Sequence, residues 1–479
     1  MLLYNYQGMK LEGCLNITTC LPKAPQVVTV KRGSSASIYL DNSAYKSFLN
    51  SKFQISPVDM ESAAIALISH QQKVPFIAFR ALIDLAGERS TQSNEGYIFA
   101  SVLVENLIRV ISHFIKNLDN SSVFRSFGLR RRRMAFHLKL LFLGFLAFVG
   151  IICRADGAIS RSILKKISRI NKDGPYLGLV VPNSFEMSPL LQSPSFVPDE
   201  NSPIFDFSGR RFRIGRLENE TVIIVMTGLG MLNAGIATEL LLSLFKVKGV
   251  VHFGIAGNAN PELQIGDVTI PQYWAHTGLW NWQRNGDGPD DELSLESNGD
   301  YTRTIGYIKF SDYNNDTNNG NSSTNLLNNA WYQPEEIFPI NGTPEVRQHA
   351  FWVPVNNHYF AVAEKLKDIK LEGCINSTCL PRTPIVIRVE RGSSANIFVD
   401  NAAYRQFLNS KFNVTPIDME SAAVALICLQ QRTPFIVLRA LSDLAGGGSS
   451  VSNEAAMFAS LAAQNAVTVV LRFIALLFS

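Results

Sequence analysis

Two carboxylates stand one residue apart in Asp418-Met419-Glu420-Ser421, and a charged pair closes the run Arg439-Ala-Leu-Ser442-Asp443. The second group directly follows the apolar run 435–438. Charges at the end of a buried strand are costly unless they are paired or used. An Arg439–Asp443 bridge would account for them without chemistry, and so would helix capping by Asp418, a good N-cap residue. Glu420 would then lie in the first turn, where the helix dipole favours a carboxylate. Two glycine segments complete the set. Gly228-Leu-Gly230-Met-Leu-Asn233 follows an apolar run and opens a helical pattern, and backbone amides at such a start suit anionic or hydroxyl-rich ligands. Close helix packing explains the same glycines. Phe253-Gly-Ile-Ala-Gly257 ends another apolar run, and ligands of α/β folds bind at the C-terminal ends of strands.

The elements that must position these groups are legible as alternating patterns. Short apolar runs at 176–181, 221–226, 249–253, 267–270, 385–389 and 435–438, bounded by Gly or Pro, predict buried strands. Helical patterns fall at 231–245, 419–430 and 453–477. Strands alternating with helices predict an α/β fold around a largely buried sheet. Residues 283–345 interrupt the pattern, with eight Asn among residues 311–330. A loop this long is functional or disordered, and it is expected to be a mobile surface insertion.

The C-terminal half of this unit occurs twice. Lys10-Leu-Glu-Gly-Cys14 recurs as Lys370-Leu-Glu-Gly-Cys374, and residues 59–86 match 418–445 at a constant offset of 359 with 20 of 28 positions identical. The period is far longer than the roughly 20–50 residues of a solenoid repeat. Residues 178–271 have no counterpart before the first copy, so that copy is a half. Glu61 and Asp84 correspond to Glu420 and Asp443, but Ile83 replaces Ser442 and the glycine turn is missing. The expected organisation is a partial repeat over 1–120, a basic junction with a signal-like segment over 121–158, and a complete domain over 159–479. The partial repeat would leave one side of a sheet uncovered and aggregation-prone, unless it pairs with another chain.

Between the copies, residues 140–153 are fourteen apolar residues preceded by Met134, the arginines 130–133 and Lys139, and followed by Ala155, Gly157 and Ala158. This is the layout of a secretory signal peptide. A membrane anchor needs about 20 apolar residues, and a buried helix is the third reading. The expectation is that two neighbouring tandem genes are joined and that the authentic protein begins at Met134, enters the secretory pathway and, once the signal is cleaved, has no stable membrane insertion. Sequons at Asn219, Asn315, Asn321, Asn341 and Asn376 agree with secretion. Cys374 and Cys379, like Cys14 and Cys20, flank short loops of unequal spacing. That disfavours a metal site and leaves a small disulfide loop or two unpaired thiols. The net charge is +4 across 479 residues, with no basic stripe interleaved with aromatics, so nucleic acid is not an expected partner.

Taken in order, the four chemical segments resemble the nucleoside phosphorylase and nucleosidase superfamily, and among its enzymes 5′-methylthioadenosine/S-adenosylhomocysteine nucleosidase. The secreted form with its insertion resembles the plant bark storage and wound-inducible proteins. The resemblance implies a three-layer fold with a central mixed sheet flanked by helices, preceded here by the partial duplicate. It implies that Asp443 donates a proton to purine N7, that Met419 and Glu420 bind the ribose, and that Glu186, counted from Gly178, activates water. Gly228, Gly230, Gly257, Arg439 and Ser442 would line the site. Phe398 or Ile397 would stack on the base. An acid–base carboxylate pair suits an oxocarbenium-like transition state, provided that Asp443 holds its proton through a raised pKa, which a desolvated strand end would supply. Ile255 departs from the small polar residue of the nucleosidases, and the family's "GDAFI"-like segment reads Gly392 to Phe398 with altered spacing.

The implied partner is a purine nucleoside, with no cofactor, and phosphate as co-substrate only in a phosphorylase. Leu232-Asn233-Ala replaces the serine that phosphorylases place there, which favours hydrolysis. A homo-oligomer and a vacuolar or extracellular location are expected. The competing class is a vegetative nitrogen-storage protein with reduced or no catalysis, favoured by the Asn-rich insertion and secretory entry.

Overall fold

Residues 176–181 contain no charge, and in the computed structural model they form a strand buried along its whole length, β1 (Tyr176–Val181). The structure describes residues 9–83, 86, 99–120, 159–283, 307–309, 329–338, 340, 348–447 and 454–479. The signal-like segment, the junction, Asp84 and the sequons at Asn315, Asn321 and Asn341 lie outside them.

After β1 the complete domain continues with α1 (Ser184–Gln192), β2 (Phe196–Pro198), β3 (Ile204–Phe207), β4 (Arg210–Leu217), β5 (Glu220–Met226), α2 (Met231–Leu244), β6 (Val247–Asn258) and β7 (Val268–His276). It closes with β8 (Val353–Pro354), α3 (Asn357–Ala363), β9 (Val386–Ser394), α4 (Ala402–Phe412), β10 (Val414–Asp418), α5 (Ser421–Gln430), β11 (Phe435–Leu444) and α6 (Glu454–Leu477). Eleven strands form one mixed sheet in the order β8-β7-β9-β10-β6-β1-β5-β4-β2, with β3 on β4. Strand β11 lies parallel to β6 and also meets β7. Because β6 also pairs with β10, the pairings β7-β9-β10-β6-β11 return to β7, and the sheet closes on itself at one end. The expected α/β class and central mixed sheet hold.

Each face of the sheet carries an apolar layer. On one, α6 buries Ala462, Ala466, Val470 and Phe473 against β1, β6 and β11. On the other, α2 and α5 bury Ala234, Ala237, Leu241, Val424 and Cys428. The alanines bring the helix axes close to the sheet, and the long apolar side chains fill the remaining volume. By length and composition alone residues 458–477 would also span a bilayer; their apolar face is used on the sheet.

The insertion differs from expectation where it is described. Asn329–Tyr332 pairs antiparallel with Trp280–Gln283, and Tyr332 is fully buried beside Phe412. The Asn-rich composition around 311–330 had masked this aromatic strand. The helix expected from 419 begins at Ser421, because the Asp418 carboxylate accepts the Glu420 and Ser421 N–H groups and delays the first turn.

The first copy repeats the local structure of the second. Ser34 and Ser35 pair with Val58 and Asp59, as Ser393 and Ser394 pair with Ile417 and Asp418. Asn42 caps helix Ser43–Phe53 as Asn401 caps α4. Asn106 binds the Glu12 backbone as Asn465 binds that of Glu372. Residues 74–83 are not a strand, although their counterparts form β11, and Phe76, Ile77 and Leu82 are exposed. Cys14–Cys20 and Cys374–Cys379 are both disulfides.

Truncating Phe473, fully buried between α6 and the sheet, should cost about 3–5 kcal/mol. Urea unfolding of Phe473→Ala at unchanged m-value would check it.

Candidate active site

The site is organised around Arg439, whose side chain is 0% exposed. It sits on β11 opposite Gly254 of β6. Its Nε lies 2.7 Å from Asp418 Oδ2 and donates to Ser421 Oγ at 3.1 Å. Its Nη1 donates to the Ile255 carbonyl at 3.3 Å and lies 3.8 Å from Glu186 Oε2. Its Nη2 donates to His252 Nε2 at 2.5 Å and lies 3.7 Å from Glu420 Oε2. An arginine has no acceptor, so His252 Nε2 must carry the lone pair, and its Nδ1–H then donates to the Val180 carbonyl at 2.8 Å. Burial and the Arg439 charge push this imidazole down to about 3, which keeps it neutral. The Arg439–Asp443 bridge considered from sequence is replaced by this network.

Glu186 enters from α1. Asn183 caps that helix by accepting the Glu186 N–H at 3.0 Å, and its amide donates to Glu186 Oε1 at 2.5 Å. Glu186 Oε2 accepts the Ile255 N–H at 3.0 Å. Burial raises this carboxyl to about 7, against the opposing pull of Arg439 and the Ile255 amide. Gly254 makes the approach possible: a Cβ there would overlap both the Glu186 carboxylate and the Arg439 guanidinium.

Glu420 does not serve its own helix. Its Oε1 accepts the N–H of Gly230, 190 residues away, at the N-terminus of α2. Asn396 Oδ1 accepts the next amide, that of Met231, at 2.9 Å. Gly228 and Gly230 both have positive φ, 82° and 93°, a region that glycine enters without steric cost. Burial and the nearby Asp418 raise the Glu420 carboxyl. Burial would also raise Asp418, but the Arg439 guanidinium, with hydrogen bonds from Ser394 and Ser421, holds it below the ordinary carboxylate range.

Asp443 lies half-buried at the end of β11, opposite Gly257, just past a bulge at Ser442. Ser442 Oγ lies 2.6 Å from Asp443 Oδ1 and 3.2 Å from the Ala256 carbonyl. Glu186 and Asp443 thus flank one backbone run, Ile255 to Gly257, from opposite ends. Met419 is half-buried beside Glu420. Phe398 and Ile397 are 65% and 39% exposed on the segment that follows Asn396. Sequence reasoning missed His252, Asn183, Asn396 and Ser421. A lone histidine inside the apolar run 249–253 was the one available signal.

The first copy holds the same arrangement without its cover. Arg80 Nε is 2.7 Å from Asp59 Oδ2 and Arg80 Nη2 is 3.5 Å from Glu61 Oε2, but Arg80 is 38% and Glu61 63% exposed. Among the described residues nothing covers this pair as β1, α1 and β6 cover Arg439, so water screens it.

A model of the phosphorylase superfamily matches residues 15–116 and 176–475, one stretch in each copy, and the chain belongs to that superfamily. Bark storage protein A of Populus deltoides is 32% identical over 300 residues, covering 62% of this chain and 88% of that protein. The 5′-methylthioadenosine/S-adenosylhomocysteine nucleosidase of Marinomonas sp. (strain MWYL1) is 26% identical over 259 residues, covering 54% and 82%. Among solved structures, futalosine hydrolase of Helicobacter pylori strain 26695 aligns at 17% identity and a TM-score of 0.41, covering 64% of this chain and 97% of that one.

Glu186 takes up its proton more readily in the folded state, near pH 7, than in the unfolded chain, near 4.5. Its contribution to stability is therefore full below about pH 4.5 and is lost as pH rises through 7. Glu186→Gln should be more stable relative to the native chain at pH 8 than at pH 5, by an amount on the order of 2–3 kcal/mol. Denaturation midpoints across that range would measure it, and parallel curves would contradict it.

Proposed function

We propose that this member of the phosphorylase superfamily hydrolyses the N-glycosidic bond of a purine nucleoside. The observation that carries the reading is the buried Glu186, raised to about 7 and fixed by the N–H of Ile255, on a strand whose Gly257 lies opposite Asp443. A general base is most effective when its pKa lies near the working pH. Its carboxylate takes a proton from water, the water oxygen bonds to the anomeric carbon, the C–N bond breaks, and Asp443 gives its proton to the departing base. The products are the free base and a ribose bearing the new hydroxyl. Glu420 Oε2, near Arg439 only at 3.7 Å, keeps lone pairs for a ribose hydroxyl.

Water rather than phosphate is supported by the start of α2. A phosphate would use the amides there, but Gly230 N–H is held by Glu420 and Met231 N–H by Asn396. A phosphate there would also face the like charge of the Glu420 carboxylate.

The likeness to bark storage protein A supports a second reading, a storage protein in the secretory pathway, and the two disulfides agree with an oxidising compartment. The retained cluster of Glu186, Asp418, Glu420 and Arg439 favours a store that keeps its hydrolytic site.

The purified chain should release base from at least one of methylthioadenosine, adenosine and inosine, without phosphate. Asp443→Asn should slow release about 100-fold or more. Because Glu186 acts as the carboxylate, the rate should rise with pH through about 7. Absence of release from all three would overturn the enzymatic reading, an absolute requirement for phosphate would overturn hydrolysis, and full activity in Asp443→Asn would remove Asp443 from the mechanism.

A further inference from the structure

Beyond the ends of β6 and β11 lies a cavity of about 590 Å³ that the site around Arg439 does not use. The loop 259–265 after β6 forms one wall, and residues 379–381 after the Cys374–Cys379 disulfide form another. A third is the stripe Arg405, Gln406, Asn409 and Ser410 on α4, and Leu444 and Phe458 complete the lining. None of Glu186, Phe398, Met419, Glu420, Arg439 and Asp443 lines it. Its volume falls within the roughly 300–1,000 Å³ of small-molecule sites, which combine an apolar wall with a few placed polar groups.

Leu263, Ile265, Leu380, Leu444 and Phe458 make this wall largely apolar. Three of its polar side chains already serve the backbone. Gln264 Nε2 donates to the Arg382 carbonyl at 2.7 Å, Asn409 Nδ2 to the Val414 carbonyl at 3.0 Å, and Ser410 Oγ to the Phe407 carbonyl at 3.3 Å. Arg405 differs. It is the one charged residue of the lining, and no carboxylate accompanies it there. The residues three and four positions away on α4 or at its cap, Asn401, Ala402, Leu408 and Asn409, are uncharged, so no intrahelical ion pair forms. Nη1 of Arg405 is sealed from solvent and has no hydrogen-bond partner. A desolvated donor without a partner costs free energy, and a guanidinium presents its planar donors to a carboxylate two at a time.

We propose that this cavity binds a small-molecule monocarboxylate, whose apolar body lies among Leu263, Ile265, Leu380 and Phe458 and whose carboxylate pairs with Arg405. A cationic ligand would meet a like charge at Arg405. A polyanion would bring more charge than one guanidinium answers and would press the rest against an apolar wall. Leu444 directly follows Asp443 and pairs with Asn258, so the bound acid rests against the strand ends, beside the nucleoside's site and not in it.

Calorimetric titration tests this on the full chain. 4-Phenylbutyrate or octanoate should bind with a Kd of about 1 mM or tighter. 4-Phenylbutanamide keeps the ring and loses the charge, and it should bind about tenfold more weakly than its acid, as should the acid to Arg405→Gln. Ile265→Trp fills the cavity and keeps the guanidinium, and it should abolish binding, whereas Glu186→Gln should bind as the native chain does. Without ligand, Arg405→Gln should unfold at the native midpoint or above it, because no protein partner is lost. With the acid present, the native midpoint should rise and that of Arg405→Gln should not. Failure of both acids to bind, equal affinity for acid and amide, binding unchanged in Arg405→Gln or Ile265→Trp, binding lost in Glu186→Gln, or a ligand-free Arg405→Gln that unfolds well below the native chain would each overturn the proposal.

Discussion

A guanidinium with no contact to solvent is the constraint to which the rest of the site answers. Transferring such a charge out of water costs several kcal/mol even after relaxation, unless it is met by good geometry and full hydrogen bonding. Five elements meet it: β11 carries Arg439, β10 and α5 supply Asp418 and Ser421, α1 supplies Glu186, and β6 supplies His252 and the Ile255 carbonyl. Three carboxylates share the one cation, and distance decides among them. Asp418, at 2.7 Å, is held ionised below its ordinary range, whereas Glu186 and Glu420, at 3.8 and 3.7 Å, are raised because burial outweighs the more distant attraction. Carboxyls shifted in opposite directions thus coexist within one side chain's reach.

Much of this was legible along the chain. The run 176–181 has the length and composition of a buried strand and is one. Asp418, Glu420 and Arg439 stood out because charges bordering apolar runs need a reason. Glu186 was reached only through likeness to a family, and the structure places it 3.8 Å from Arg439. What stayed hidden depends on partners distant in sequence. Glu420 was expected to interact with the dipole of its own helix; it serves the helix of Gly230 instead, a choice no local rule contains. His252 looked like one more residue of a strand, because nothing nearby announces the arginine 187 residues on. The strand around Trp331 was obscured by the asparagines beside it, since average polarity over a window hides a short aromatic run.

The two copies show the same residues under two solvents. Asp59 and Arg80 meet at 2.7 Å, as Asp418 and Arg439 do. Local sequence is therefore sufficient to build the ion pair, and the covering strands and helix determine whether it is dry. Chemistry in this fold belongs to the cover as much as to the charged residues.

That difference sets how the molecule should be counted. A search for the run Asp-Met-Glu-Ser followed by Arg-Ala-Leu finds two instances in the chain, and a tally of motifs would give it two centres. Of the two guanidiniums that follow those runs, Arg439 is sealed from water and Arg80 is 38% exposed. Among the described residues the enclosed cation therefore occurs once for two copies of the motif, half as often as the repeated letters advertise.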